Sequence, residues 1–375
     1  MRLLFVLGSR GEWGYIQPVI DKAQSRGHTC HIWACNMSVL PEYGNLVQEI
    51  DPAKYNIVHR AFTAISGDSV AALTRSFGLT AIAFSDFLQN SEYDWLVCAG
   101  DRLEQLAVVT VAFGQGLAVA HIQAGERSGN IDGMTRHAMA RFVHLHLASN
   151  DDAAQRLIRS GETPARVHVT GAPQLDGLKD ELPSRYELVQ RQVCESGEFI
   201  LAVMHGVTDE EDQVIDQVEI LLSVLRNQSL PILWVGSNND TAGDALRRKI
   251  VSSLRLRDKF FVNLNRLDYL AILRETTLMI GNSSSGLLEA PSFGIPVINI
   301  GNRQRDRVRA ANVIDVPFDF DQLSQAMAEA LSEEFRSVAK MATNPYGDGQ
   351  SSSIIVGLLE NLERTPQFMS KQIEF

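Results

Sequence analysis

Short apolar runs rich in β-branched residues alternate with longer segments of helical periodicity along the whole chain. This alternation is typical of βαβ units, in which helices connect parallel strands. It predicts two successive series of strands. The first comprises residues 3–7, 28–33, 56–59, 95–99, 118–122, 145–148 and 167–169, and the second 199–203, 232–235, 260–263, 278–280, 297–300 and 313–316.

A segment rich in Pro, Gly and charge separates the two series, from residue 171 to about residue 196. Such composition is typical of a hinge between domains. We therefore predict an α/β protein with two Rossmann-like parallel-sheet domains, at residues 1–175 and 176–350, followed by an amphipathic tail helix within residues 351–375. In open α/β sheets, ligands bind beyond the carboxyl ends of the strands, so we expect a ligand cleft between the two domains.

The most distinctive polar segment is the serine run, residues 281–286, which follows the strand at 278–280. Helical apolar spacing begins at Leu287, so the hydroxyls of Ser283, Ser284 and Ser285 fall where a helix N-terminus exposes free N–H groups. Hydroxyls and amides together suit a diphosphate. Glu289, one turn further on, is placed to accept hydrogen bonds from sugar or ribose hydroxyls. The alternative is a serine N-cap without a ligand.

Charge and cysteine content narrow the possible partners. The net charge of −11 over 375 residues argues against a general nucleic-acid or acidic-membrane partner, since phosphate would be repelled, so any phosphate site must be local. The four cysteines lack CxxC spacing, which indicates reduced thiols in a cytoplasmic protein. No apolar stretch approaches the roughly 20 residues of a membrane span. We predict neither a metal nor a cofactor.

Charged clusters also follow the first, fourth and fifth strands of the first series. Arg10 in the first cluster is either a phosphate contact or a solvated surface arginine. Asp101 in the second is a catalytic carboxylate or a helix N-cap, with Arg102 as a charge partner. The third cluster, residues 121–132, contains the carboxylates Glu126 and Asp132. Two acids in different environments can serve as acid and base; the alternative is surface pairing with Arg127 or Arg136.

Two clusters remain in the second series. His205 follows the strand at 199–203, where an imidazole can face a ligand, whereas Thr208 and Glu211 fit an ordinary capping box. Residues 301–309 hold four arginines, among them Arg303 and Arg307. Bidentate arginine contacts would neutralise a diphosphate, although a solvated charge run is the alternative.

In this order, the clusters resemble the UDP-N-acetylglucosamine 2-epimerase family, in particular its hydrolysing branch in sialic and nonulosonic acid pathways. The resemblance covers almost the whole chain. It rests on Gly8-Ser9-Arg10, Gly100-Asp101-Arg102, residues 121–132 with Arg136-His137, Gly171-Ala172-Pro173, His205, residues 281–291, Arg303-Gln304, Arg307 and Asn344-Pro345-Tyr346-Gly347. It implies a GT-B-like fold whose C-terminal helix crosses back to the first domain, and a homodimer.

The resemblance also implies roles for individual residues. Nucleotide binding falls to the second domain and to Arg10, and the catalytic or substrate-positioning groups are Asp101, Asp132 and His205, with Glu126 as a further candidate. The nucleotide ligands implied are Arg10, Ser284, Ser285, Glu289 and Arg307, to which we add Arg102, Ser283 and Arg303 as UDP-sugar contacts. The implied reaction expels UDP, passes through a glycal, and adds water to give a free 2-acetamido-mannose-type sugar.

Three positions depart from the family pattern. Gln123 stands where a glutamate is common, Gly206 where a proline is frequent, and Asp306 where the arginine loop usually has glycine. An amide cannot act as a general base at neutral pH. The alternatives are therefore a non-hydrolysing 2-epimerase, a glycosyltransferase of the same fold, and a UDP-sugar-binding protein with altered catalysis.

Overall fold

The computed structural model describes residues 1–41, 44–65, 70–127, 131–236, 243–262 and 264–374. The chain divides into two compact units. Unit 1 contains Met1–Asp176 together with Tyr346–Phe375, and unit 2 contains Gly177–Pro345. Residues 346–350, which the sequence pattern places in the second domain, thus fold with unit 1.

Each unit contains one parallel sheet. The described strands are β1 Arg2–Leu7, β2 Thr29–Cys35, β3 Asn56–Ala61, β4 Trp95–Ala99, β5 Val119–Ala124, β6 Leu145–Ala148, β7 Val167–Val169, β8 Ile200–Val203, β9 Ile232–Val235, β10 Lys259–Phe261, β11 Leu278–Gly281, β12 Val297–Ile300 and β13 Val313–Val316. The sheet orders are β3-β2-β1-β4-β5-β6-β7 and β10-β9-β8-β11-β12-β13. The predicted α/β class with two Rossmann-like sheets is confirmed. Asn263, the last residue of one predicted strand, lies outside the described residues.

Helices connect the strands. They are α1 Arg10–Ser25, α2 Leu46–Glu49, α3 Val70–Leu88, α4 Leu103–Gly114, α5 Ile131–Ala140, α6 Asp151–Arg159, α7 Arg185–Gln190, α8 Val214–Arg226, α9 Gly243–Ser252, α10 Arg266–Glu275, α11 Ser285–Leu288, α12 Ala290–Phe293, α13 Phe320–Ala330, α14 Glu333–Lys340, α15 Ser351–Asn361 and α16 Pro366–Met369. Among these described helices, none is both long enough and apolar enough to cross a bilayer.

The sheet of unit 1 is covered on both faces, which explains why its strands read as continuous apolar runs. On one face, Phe5 of β1 packs with Val19 of α1 and with Ile355 of α15. On the other face, Val6 packs in a cluster with Phe84 of α3. The tail helix α15 therefore completes the core of unit 1, as the resemblance implied.

The sheet of unit 2 is built in the same way. Ala202 of β8 lies in a core cluster with Leu221 of α8, and its neighbour Leu201 lies in a second cluster with Ile272 of α10. In each sheet the strand order reverses beside the first strand, between β1 and β4 and between β8 and β11. Such reversals are where ligands bind in open α/β sheets. The charged clusters predicted from the sequence follow these strands and their neighbours β5 and β12.

Candidate functional site

Asp101 follows β4 and forms an ion pair with a buried arginine. Its Oδ2 lies 2.5 Å from Nη2 of Arg136, whose side chain is 3% exposed. Helix α4 begins at Leu103 with Arg102 in the N-cap position, so Asp101 is not the cap that the alternative interpretation supposed. Arg102 itself donates from Nε to Oε1 of Glu104 at 2.8 Å. The carboxylate is thereby fixed at the carboxyl end of the strand.

Gln123 lies in a β-bulge at the end of β5. The pairing of β5 with β6 shifts between Ile122 and Ala124, and Gln123 has a φ of 60°. Left-handed backbone costs a non-glycine residue about 1–3 kcal/mol and recurs at functional sites. The side chain is buried, and its Nε2 lies 3.4 Å from Oε1 of Gln174. The bulge turns this amide out of the regular strand alternation.

Glu126 is buried three residues further along and is held by the neighbouring strand. Its Oε1 accepts hydrogen bonds from the Ser149 hydroxyl and from Nδ2 of Asn150, the latter at 2.6 Å. Asn150 also caps α6 through Ala153 N–H. These contacts replace the surface ion pair that the alternative interpretation proposed for Glu126.

Some of the same loop cannot be placed. Ser128, Gly129 and Asn130 lie outside the described residues, and Asp132 begins helix α5 without a described side chain. His121 in β5 is a neutral core histidine. Burial lowers its pKa to about 3, and its Nε2 lies 2.6 Å from the Gly100 carbonyl oxygen.

Arg10 begins α1 and is bound by a carboxylate of its own unit. Its Nη1 and Nη2 donate to the two carboxylate oxygens of Glu49 at 2.7 Å and 2.5 Å. Both side chains are about half exposed. A phosphate would have to displace Glu49 to receive the same bidentate contact.

In unit 2, Asn282 joins the His205 loop to the arginine loop. Its Oδ1 accepts the His205 N–H at 2.7 Å, and its Nδ2 donates to the His205 carbonyl oxygen at 2.9 Å. Its own carbonyl oxygen accepts from Arg303 Nη1 and Gln304 Nε2, at 3.1 Å and 3.0 Å. Gly281, with a φ of 135°, permits this approach because a side chain there would collide with the Val203 carbonyl. Three candidate segments thus share one buried amide.

The serine run does not open the continuous helix that its spacing predicts. Helices α11 and α12 are four residues each and meet at Glu289, because Pro291 has no N–H to continue the hydrogen-bond ladder. The N–H groups of Leu287 and Leu288 bond to the Ser284 carbonyl.

The three hydroxyls of the run also differ from the predicted outward row. Ser285 is buried and hydrogen bonds to the Tyr269 hydroxyl and to Ser283 at 3.0 Å. Ser283 and Ser284 are partly exposed. The run is therefore braced from within by Tyr269, with two serines nearer the surface.

Glu289 is a buried carboxyl flanked by arginines. Its Oε1 lies 3.9 Å from Arg266 Nη1. Burial raises its pKa, an effect that the charges of Arg266 and Arg307 oppose. Such a carboxyl can accept a hydrogen bond from a ligand hydroxyl when ionised or donate one when protonated.

The arginine loop contains an unusual backbone position. Asp306 has a φ of 64°, in the region that favours glycine, and the N–H of Arg307 bonds to the Gln304 carbonyl at 3.4 Å. This geometry explains why glycine suits the position in related sequences. Arg303 is partly buried against Asn282, so at least one arginine of the loop is not a solvated charge.

Sequence reasoning assigned no role to several residues that hold the site. Arg136, Ser149, Asn150, Asn282 and Tyr269 position candidate groups through the contacts above. Ser149 and Asn150 follow the predicted strand at 145–148, so the rule that polar residues after strands form the site would have found them. Tyr269 is a partner from a distant helix, which no local pattern predicts.

Comparison with known proteins places the chain in a family. Residues 21–360 match the family described as UDP-N-acetylglucosamine 2-epimerase. The chain belongs to this family. The resemblance inferred from the charged clusters is therefore confirmed.

Similar relatives within the family span nearly the whole chain. The UDP-N,N'-diacetylbacillosamine 2-epimerase (hydrolyzing) of Legionella pneumophila is 29% identical, over 99% of this chain and 98% of the relative. Polysialic acid biosynthesis protein P7 of Escherichia coli is 30% identical, over 92% and 90%. The structure of UDP-GlcNAc 2-epimerase from Neisseria meningitidis bound to UDP-GlcNAc has a TM-score of 0.81 at 19% identity, covering 96% of this chain and all of that one. This last likeness establishes the fold.

Proposed function

We propose that this protein is a hydrolysing UDP-sugar 2-epimerase that converts a UDP-N-acetylglucosamine-type sugar to UDP and a free 2-acetamido-mannose-configured sugar for nonulosonic acid biosynthesis. Relatives of nearly equal length that carry the hydrolysing activity in their names support this. The observation that carries the proposal is the Asp101 carboxylate, fixed by buried Arg136 at the end of β4, with buried Glu126 at the end of neighbouring β5.

The chemistry explains the need for both anion-binding and carboxylate groups. The C2 proton of a sugar without a neighbouring carbonyl is hardly acidic, so UDP leaves first. Positive groups stabilise the charge that builds on the leaving diphosphate, and the oxocarbenium-like C1 then makes the C2 proton removable. Loss of that proton gives a glycal, unsaturated between C1 and C2. Reprotonation at C2 from the opposite face and addition of water at C1 give the free sugar.

Two proton-transfer groups are required, one for each face of the sugar. We assign them among Asp101, Glu126 and Asp132. Gln123 cannot accept the proton as an amide, and we assign it a positioning role in the bulge that precedes Glu126. His205 is assigned to a diphosphate or sugar hydroxyl contact.

The nucleotide is assigned mainly to unit 2. The polar character of the serine run, the buried Glu289 carboxyl and the arginine loop support this assignment. The proposed UDP-sugar ligands are Arg10, Arg102, Ser283, Ser284, Ser285, Glu289, Arg303 and Arg307. Ser285 would act through the row of hydroxyls it shares with Ser283 and Tyr269.

We further propose a cytoplasmic homodimer. All four cysteines are buried and free, which suits a reducing compartment. Helix α3 exposes Leu73, Leu79 and Ile82, the last at 63% of its surface. Burial of these apolar side chains against a second copy would remove them from water.

The reaction is tested by incubating the protein separately with UDP-N-acetylglucosamine and with UDP-2,4-diacetamido-2,4,6-trideoxyglucose, and measuring UDP and free sugar. Equimolar UDP and mannose-configured free sugar from either substrate are the expected result, and the rates identify the preferred C4 and C6 substituents.

Other outcomes separate the alternatives. Formation of a UDP-mannose-configured sugar without UDP release would identify a non-hydrolysing epimerase. Binding of UDP without consumption of either sugar would favour a glycosyltransferase or a non-catalytic binding protein, and addition of acceptor sugars would distinguish these two.

A further inference from the structure

Two buried carboxyl groups lie where the strand order of unit 1 reverses. Glu12 is on the first turn of α1, which follows β1, and Glu104 is on the first turn of α4, which follows β4. They are only 2% and 4% exposed. The chemistry proposed above uses neither residue, although both flank the turns that carry Arg10 and Arg102.

Glu12 holds the turn after β1. Its Oε2 accepts the backbone N–H groups of Gly8 at 2.6 Å and Ser9 at 3.2 Å, and Nε2 of Gln105 at 2.8 Å. Three donors therefore converge on one oxygen. Oε1 is buried without a hydrogen-bond partner among the described residues.

Glu104 holds the turn after β4 and approaches the same glycine. Its Oε1 accepts from Nε of Arg102 at 2.8 Å. A side-chain carbon built on Gly8 would lie 2.8 Å from Glu104 Oε1 and 3.2 Å from Glu12 Oε2. The two carboxyls thus meet against the bare Cα of Gly8, and any larger residue would have to push them apart.

The charges around the pair do not balance if both acids are ionised. Among the described residues, the ionisable groups that act on Glu12 and Glu104 are Arg102 and the buried thiols Cys35 and Cys98. Burial raises the pKa of both thiols, so they remain neutral. One guanidinium faces two buried acids, and neighbouring like charges in a poorly solvated site cannot both persist.

We propose that Glu12 and Glu104 are positioning residues that share one proton, carried on Oε1 of Glu12, and that they hold the backbone of residues 8–10 and the Arg102 guanidinium in place. Glu104 is the ionised partner because it has the arginine. Burial, together with the negative charge of Glu104, raises the pKa of Glu12 to about 8, in agreement with a proton retained at neutral pH.

The consequence for catalysis rests on the proposed function. If Arg10 and Arg102 bind the UDP-sugar, ionisation of Glu12 above about pH 8 disturbs both turns at once and weakens substrate binding. The expected signature is a rise in KM on the alkaline side, while kcat changes less.

Infrared spectroscopy of the protein without substrate tests the shared proton directly. The wild type should show a protonated-carboxyl C=O band at pH 7 that disappears with a midpoint near pH 8 and is missing from Glu12→Gln. Glu162→Gln is the matched control. Glu162 is equally buried, but hydrogen bonds from His146 and Lys371 hold its pKa below the usual value despite burial, so its replacement should leave the band intact.

Kinetics with the two variants test the positioning role. Glu12→Gln keeps an acceptor for Gly8 and Ser9 and mimics the protonated acid, so KM at pH 7 should stay near the wild-type value and its alkaline rise should vanish. Glu104→Gln removes the charge that holds Arg102 and should raise KM about tenfold at all pH values, with a smaller change in kcat.

The proposal is overturned if the pH 7 band is unchanged in Glu12→Gln. It is also overturned if that variant raises KM at pH 7 as much as Glu104→Gln does, or if it keeps the alkaline rise. Because the infrared result needs no turnover, failure of the epimerase proposal would leave the shared proton independently measurable.

Discussion

The ion pair between Asp101 and Arg136 makes a sharp prediction for single side chains. Asp101→Asn should lower kcat by at least about 100-fold, because an amide cannot take or give the proton that a positioned carboxylate transfers. Loss of charge opposite buried Arg136 should also cost about 3 kcal/mol of folding free energy. Turnover is measured well below the variant's melting temperature, and UDP affinity by calorimetry should be nearly unchanged. Retained turnover would remove Asp101 from the mechanism.

The hydroxyl of Ser149 offers a test of Glu126. Ser149→Ala removes one of the donors to Glu126 Oε1, so kcat should fall about tenfold if this carboxylate moves a proton. Ser337→Ala is a matched control, since that exposed hydroxyl bonds only to the carbonyl of Glu333. Equal activity of the two variants would exclude Glu126 from proton transfer.

A buried acid also makes stability depend on pH. Glu12 has a pKa raised from 4.5 to about 8 in the folded protein, mainly by burial. The folded state therefore binds more protons than the unfolded state between these values, and the contribution of this group to stability is full below pH 4.5 and lost as pH rises through 8. Denaturant unfolding should show this decline in the wild type, and Glu12→Gln should be flatter over the same range. Parallel curves would contradict the assignment.

At the same scale, sequence indicated which residues matter better than how they are held. Glu126 and Asp101 were identified because both follow predicted strands. The left-handed backbones of Gln123 and Asp306 were not predicted, since tertiary packing imposes φ values that these residue types disfavour. The Gln123 substitution raised doubt about catalysis, and the buried neighbour Glu126 supplies a carboxylate three residues away.

Among the elements, the β11–α11 connection should tolerate little change. Asn282→Ala removes both side-chain hydrogen bonds to the His205 backbone and leaves a buried N–H unpaired, which costs about 1–3 kcal/mol. We expect UDP affinity to fall at least about tenfold, because the same residue anchors the arginine loop. Asn282→Asp keeps the Oδ1 acceptor and should be the milder variant in binding. Unchanged UDP affinity in Asn282→Ala would show that the connection does not support the nucleotide.

Helix boundaries at this connection show the limit of pattern reasoning. Apolar spacing from Leu287 predicted one helix, whereas α11 and α12 are separate because of Pro291. The strands were predicted closely because residues such as Val97 and Ile298 belong to runs buried on both faces, and such runs have few alternatives. Short helices depend on single residues and on packing, which periodicity does not capture.

For the whole molecule, the exposed side of α3 predicts the oligomeric state. Ile82→Glu places a charge among Leu73 and Leu79 and should convert the proposed dimer to a monomer in light scattering. Leu256→Glu is the control, because Leu256 is a fully exposed apolar residue of unit 2. A monomeric wild type, or a dimer that persists in Ile82→Glu, would contradict this interface.

The two-sheet architecture followed from the alternation of apolar runs and helical segments, and the tail helix from its amphipathic spacing. Which strands lie next to each other did not follow, since the reversal between β1 and β4 brings together segments far apart in the chain. For the same reason, the pairing of Glu12 with Glu104 was not visible in the sequence, although both residues lie in clusters that were identified.

The central claim is that UDP leaves before the C2 proton is exchanged. The most direct measurement is proton NMR of the products formed from the UDP-sugar in D2O. We predict UDP together with a mannose-configured free sugar that carries deuterium at C2. Release of UDP with the original proton retained at C2, or with the configuration at C2 unchanged, would contradict this account.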